Sequence, residues 1–229
     1  MAFQSDRGNE PGIYRQRVDG TGGVERLTSA AAGEKHVPES WSPDGWVISY
    51  TVLKDQTYSL RILTLANKRS EAFAGVTSQE PISSVFSPDG KWLAYVRAPG
   101  DDITMPDRGV FVRPFPSGSA VYQAPRQYVD FSPVWTPDGS ELAFVTSGSS
   151  GQMAAMRLNI SGGISFGPPV VFPASLNGGR LSGQPRGFDI MPDGRFIGVF
   201  SPSADGSSRM EIRVVLNAFE VLKQPALAK

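Results

Sequence analysis

Apolar residues in this chain come in short runs, and four of the runs share one grammar. They read WSPDGWVISY from Trp41, FSPDGKWLAYV from Phe86, WTPDGSELAFV from Trp135 and IMPDGRFIGVF from Ile190. In each, a large apolar residue precedes a Pro-Asp-Gly turn and a dense apolar run follows it. Pro presets φ, Asp tolerates the next position and can bond its own backbone, and Gly accepts the positive φ that closes the reversal. Asp44 and Gly45, Asp89 and Gly90, Asp138 and Gly139, and Asp193 and Gly194 are therefore expected to be structural turn formers. The runs after the turns are apolar on both faces, as in Leu142-Ala143-Phe144 and Phe196-Ile197. Strands without in/out alternation belong to sheets covered on both sides.

The turns begin at positions 42, 87, 136 and 191. That spacing is close to a four-stranded propeller blade of ~40–50 residues. Each unit continues with a third strand (58–65, 109–115, 153–159, 210–217), and most add a more polar fourth (69–74, 120–124, 170–174). The opening Met1-Ala2-Phe3 aligns with Leu93-Ala94-Tyr95, so the chain starts inside a unit. The pattern predicts an all-β protein, a β-propeller of four-stranded antiparallel blades. About five blades are expected: a partial one over 1–33, complete ones from about 37, 81 and 130, and a partial one over 185–217. Residues 218–224 read as a short C-terminal helix. A single domain over 1–229, part of a larger propeller, is the expected organisation.

Composition narrows the function. Lys plus Arg and Asp plus Glu are 22 each, so no basic excess points to nucleic acid. Cysteine is absent, which removes disulfides, thiolate metal sites and cysteine nucleophiles. No apolar run approaches the ~18–20 residues of a membrane span, so direct membrane insertion is not expected. The N-terminus lacks the charged and apolar regions of a signal peptide. The chain as written would be cytoplasmic, and periplasmic or extracytoplasmic if it belongs to a longer envelope protein. The 19 Pro and 25 Gly lie between apolar runs, as expected for the punctuation of many short strands.

Candidate chemistry is sparse. Gly163-Ile164-Ser165-Phe166-Gly167 matches a nucleophile elbow, but that motif needs a strand-to-helix turn and a downstream His. The single His, His36, lies upstream. The four turn aspartates fall one per unit, too far apart to share a proton or a metal. Neither Asp101-Asp102 nor Asp205-Gly206 has calcium-loop spacing, and Asn159-Ile160-Ser161 fits a glycosylation acceptor only by pattern. Trp41, Trp92 and Trp135 recur at blade positions and are expected in the core. No catalytic residue, metal site or cofactor is expected. The loops entering each first strand surround one mouth of a propeller's channel. His36, Glu80, Tyr128, Asp130 and Arg186 fall there. This set is mixed in charge and aromatic content, suited to a protein, a peptide or a small polar ligand; the plainer reading is that these residues solvate a rim.

The repeats resemble the TolB-type propeller repeat, the bacterial WD40-like repeat marked by its (F/W)SPDG turn, over essentially the whole chain. GVFVRPFPSG, PVWTPDGSELAF and EIRVVLNAFEVLK are also similar to the C-terminal propeller region of bacterial transmembrane serine/threonine kinases. There the propeller lies outside the membrane. The chain itself has no Gly-rich phosphate loop, HRD-type loop or DFG. The resemblance implies a non-catalytic protein- or ligand-binding module, a sensor or scaffold. The alternative is a propeller lyase or hydrolase with its site at the channel mouth. The propeller part of a prolyl-oligopeptidase-type peptidase is a third reading, which would need a hydrolase domain elsewhere.

Overall fold

The structure is a computed structural model. It describes residues 1–127, 129–146, 152–175, 186–200 and 211–215; for 172–175, 198–200 and 211–215 it gives the backbone. Among the described residues, five antiparallel sheets follow one another along the chain. The first is β1 (Ala2–Ser5), β2 (Gly12–Arg15) and β3 (Glu25–Arg26). The second is β4 (Lys35–Trp41), β5 (Val47–Lys54), β6 (Thr57–Thr64) and β7 (Arg69–Ser78). The third is β8 (Val85–Phe86), β9 (Trp92–Arg97), β10 (Gly109–Pro114) and β11 (Tyr122–Gln123). The fourth is β12 (Asp130–Trp135), β13 (Glu141–Thr146) and β14 (Gln152–Asn159), with both β15 (Ser165–Phe166) and β16 (Val170–Ser175) paired to β14. The last is β17 (Phe188–Ile190), β18 (Phe196–Phe200) and β19 (Glu211–Val215). The all-β class and the four-stranded antiparallel unit are those the repeat predicts. The short helix expected over 218–224 lies outside the described residues.

The core lies between sheets, which is why the runs after the turns lose their alternation. Ile13 and Leu27 of the first sheet pack with Ile48, Tyr50 and Leu63 of the second. Leu60 and Phe73 of the second meet Phe86, Leu93, Tyr95 and Phe111 of the third. Val85, Val96 and Val112 of the third meet Phe131, Trp135, Leu142 and Phe144 of the fourth, and Phe188 and Phe196 join from the last. One sheet cannot bury both of its faces; a stack of sheets can. β4 packs on β8, β8 on β12, and β12 on β17, so the first strands line the inner side of the stack.

Three of the four turns are built alike. The Ser42, Ser87 and Thr136 hydroxyls each donate to the turn aspartate, 2.6 Å away. Each also accepts, at 3.0 Å, the backbone N–H of the residue opening the next strand: Val47, Trp92 and Glu141. The aspartate in turn accepts the N–H two residues on. The fourth turn begins with Met191, which has no hydroxyl. Its hairpin closes one residue shorter: Met191 N–H donates to Arg195 O at 2.8 Å, and Ile190 pairs with Phe196. Trp41, Phe86 and Trp135 instead pair with Ile48, Leu93 and Leu142, seven residues ahead.

The expectation that the repeating tryptophans are core needs one correction. Trp135 is buried at 4% exposure, and Trp92 is half-buried against Tyr122. Trp41 is 37% exposed. Trp135 lies against the first strand of the preceding sheet, whereas the sheet of β1–β3 contains only counterparts of a second, third and fourth strand. Trp41 has no such strand to lie against among the described residues.

Candidate functional site at the strand-entry end

Strand direction gathers the candidate residues. Each first strand runs from this end toward its Pro-Asp-Gly turn, so the segments entering the first strands share an end with the hairpins between second and third strands. His36, Glu80, Asp130 and Arg186 all fall there. Tyr128 lies outside the described residues.

His36 was expected in an entry loop; it lies within β4, paired with Val52, because β5 pairs as far as Leu53 and draws β4 out to Lys35. The residue is buried. Its Nδ1 is 2.9 Å from Thr28 Oγ1, its Nε2 is 3.6 Å from the Glu34 carboxylate, and its ring leans on Tyr50. Burial holds the imidazole below its ordinary pKa, with Glu34 pulling the other way. A neutral ring tied to the first sheet is a blade-to-blade contact.

Glu80 meets Arg108, which sequence reasoning did not single out. The Arg108 side chain is 3% exposed; it donates to Glu80 Oε1 at 2.5 Å and to Gly100 O at 2.8 Å. The pair fixes the 99–108 loop to the segment between the second and third sheets. Asp130 is buried and accepts the Gln127 N–H at 2.8 Å. Arg186 is half-buried and donates to Pro133 O at 3.3 Å, bridging the last sheet to the fourth.

The most heavily bonded carboxylate of the inner strands was also missed. Glu39 accepts from Thr51 Oγ1 at 2.5 Å and Ser83 N at 3.1 Å on one oxygen. On the other it accepts Ser84 N at 2.7 Å and Ser84 Oγ at 2.5 Å. The residue is half-buried as a whole, and its carboxylate is the part withdrawn from water. That burial pushes the carboxyl above its ordinary pKa; the Ser84 and Thr51 donors and the charge of Arg186 oppose the rise. The signal for Glu39 was available. It is the one acidic residue at its repeat position, where the other units carry Ser84, Pro133 and Phe188.

The Gly163–Gly167 segment is not an elbow: Ser165 sits on β15, opposite Asn159 of β14, and a strand follows rather than a helix. The four turn aspartates act as turn formers, one per hairpin. Hydrogen bonds hold Asp44 (from Ser42), Asp138 (from Thr136) and Asp193 (from Arg195) below the ordinary carboxylate range. In Asp89 partial burial works against the same bonds, and the net shift is still downward. Among the described residues no group of three or more His, Asp or Glu is placed to hold a metal ion. No helix among them is long and apolar enough to cross a membrane.

No family model matches the sequence, and no curated protein matches it. Solved structures do match the fold. The crystal structure of TolB from Acinetobacter baumannii superposes with a TM-score of 0.69 at 20% identity, over 93% of this chain and 48% of that one. A putative TolB from Agrobacterium tumefaciens gives 0.53 at 18% identity, over 72% of this chain and 58% of that one. Oligogalacturonate lyase from Vibrio parahaemolyticus gives 0.56 at 12% identity, over 90% of this chain and 57% of that one. The chain therefore spans about half the length of the structures it resembles. Its fold is a partial β-propeller of the TolB-like kind, an architecture shared by TolB proteins and by enzymes.

Proposed function

We propose that this chain is a non-catalytic binding module, a sensor or scaffold that takes a protein segment or a small polar ligand at the strand-entry end of the propeller. One observation carries the reading. Four polar side chains on the inner strands and the segments entering them are committed to a neighbouring blade or loop: His36 to Thr28, Glu80 to Arg108, Glu39 to Ser83 and Ser84, Arg186 to Pro133. Acid–base or nucleophilic chemistry needs groups converging on one reacting atom. Groups spent on fixing blades make a rigid rim, and a rigid rim binds without paying to order itself. The module lies outside the cytoplasm on this reading. The likeness of GVFVRPFPSG and EIRVVLNAFEVLK to kinase-linked propellers supports a place as the extracytoplasmic part of a bacterial serine/threonine kinase.

The alternative, an enzyme at the channel mouth, draws support from the raised Glu39 carboxyl within reach of the Arg186 charge. A thermal-shift screen with acidic peptides, uronates and lactones, paired with product detection by NMR, separates the two. The binding reading expects a ligand that raises Tm, an effect lost in Arg186→Ala, with the ligand recovered unchanged. Turnover abolished by Glu39→Gln would overturn it.

A further inference from the structure

We infer that the Glu39 carboxyl is a proton-uptake site of the folded chain, served by a relay of serine hydroxyls that turns over when the proton arrives. The proton site stands without the binding reading; its use rests on that reading.

The seam between the second and third sheets departs from the repeat at several positions together. Glu39, Ser40, Ser49 and Thr51 of the second sheet correspond to Ser84, Val85, Ala94 and Val96 of the third, and to Pro133, Val134, Ala143 and Val145 of the fourth. Where the other sheets carry valine or alanine, the second carries hydroxyls, so stacking blades does not require them. Ser49, Thr51 and Ser84 are no more than 1% exposed. Burying such groups costs stability unless each is paired, and here they converge on one carboxyl.

Thr51 Oγ1 and Ser83 N donate to one Glu39 oxygen, and Ser84 N and Ser84 Oγ to the other, Oε2. Ser84 Oγ also lies 2.9 Å from Ser49 Oγ, and Ser49 Oγ lies 3.3 Å from Ser40 O. A hydroxyl has a single hydrogen to donate. With Glu39 ionised, Ser84 gives its hydrogen to Oε2 and Ser49 gives its own to Ser84. With a proton from solvent on Oε2, that O–H donates to Ser84, Ser84 turns to Ser49, and Ser49 turns to Ser40 O. An O–H bond forms on the carboxyl, no other covalent bond changes, and each hydroxyl still donates. Withdrawal from water favours the neutral carboxyl. β5 and the Ser83–Ser84 segment bring hydroxyls and amides to it; the charge that reaches it is that of Arg186, which favours the ionised form.

The first strands line the inner side of the stack, so this proton changes the charge of the inner wall. On the binding reading, the wall within reach of Arg186 takes an anion more readily once Glu39 is neutral.

The test is NMR of the glutamate carboxyl carbons in the full chain, titrated without ligand. The Glu39 signal is the one absent from Glu39→Gln, and its midpoint is expected above 4.5. Ser49→Ala installs the residue of the third and fourth sheets and ends the relay. It strands the Ser84 hydrogen in the protonated form alone, so the midpoint should fall by about one pH unit. Thr51→Val, also borrowed from those sheets, takes a donor from the carboxylate, so the midpoint should rise by about one pH unit. A general change in burial would move both variants the same way. A native midpoint at or below 4.5 would overturn the proposal, and so would a Ser49→Ala midpoint that is unchanged or raised. Either result leaves the binding reading standing, because that reading fails separately, in the thermal-shift screen.

Discussion

The indole of Trp135 donates its N–H to the carbonyl of Val85, 3.2 Å away, across the boundary between the third and fourth sheets. It is a buried bond between the inner strands of consecutive blades, made by the residue that precedes the Pro-Asp-Gly turn. A Trp135→Phe variant keeps most of the packing and loses the indole bond, while the Val85 carbonyl keeps its ladder partner Ala94, so a loss of about 1 kcal/mol is expected. Trp135→Ala adds a cavity and should cost about 3–5 kcal/mol. Trp41→Phe, at the same repeat position but 37% exposed, should cost about 0.5 kcal/mol or less. Urea unfolding midpoints of the three variants check the ordering.

The turn hydroxyls carry a second prediction. Ser87 is 2% exposed and both donates to Asp89 and accepts from Trp92. Ser87→Ala leaves that N–H without its side-chain acceptor and should cost about 1–2 kcal/mol. Met191→Ala removes no such bond and should leave the shorter hairpin's register unchanged, as read from cross-strand NOEs between residues 190 and 196.

Much of the fold was legible because the turn is a local device. Pro, Asp and Gly act within four residues, and the hydroxyl at the head of the turn sets the register. The shorter fourth hairpin could have been foreseen from Met191, which lacks that hydroxyl. The site was less legible. Glu39 acts on Ser83 and Ser84, some 45 positions away in sequence, and Arg108 reaches back to Glu80. Those pairings depend on how one blade faces the next, and no local pattern encodes them. The exposure of Trp41 likewise follows from what lies beneath it, which the repeat alone hides.

Burial of Arg108 makes its pair with Glu80 an anchor for the 99–108 loop. Arg108→Ala removes bonds to Glu80 and to Gly100 O and should cost about 2 kcal/mol. Limited proteolysis should then cut within 99–108 before any global unfolding; an unchanged cleavage pattern would deny the anchoring role.

Two pH trends of opposite sign are expected. The turn aspartates have folded pKa values below their unfolded ones, so the stability they contribute is present above about pH 4 and is lost as pH falls through the folded values. Glu39 is raised, so its contribution is greatest below its unfolded value of 4.5 and declines as pH rises from there through the folded value. The stability of Glu39→Gln relative to the native chain should therefore improve between pH 4 and 7.

His36 offers a direct reading because it is the one histidine in the sequence. Its folded value lies below 6.5, so folding favours the neutral ring and stability falls as pH drops below 6.5. The imidazole resonance should titrate with a midpoint under 6.5. A midpoint above it would mean that Glu34, rather than burial, governs the ring.

The most direct measurement is amide hydrogen exchange in the first and third sheets, resolved by NMR. In a stack of antiparallel blades the Ala94 and Val96 amides, held by Val85 and Ile82 on the inner strand side, are strongly protected, and the Ala2 and Gln4 amides, on an edge of β1 that pairs with no strand among the described residues, exchange faster. Exchange of Ala94 and Val96 at close to the unstructured rate would contradict the account, because it would mean that the inner strands are not paired as the blades require.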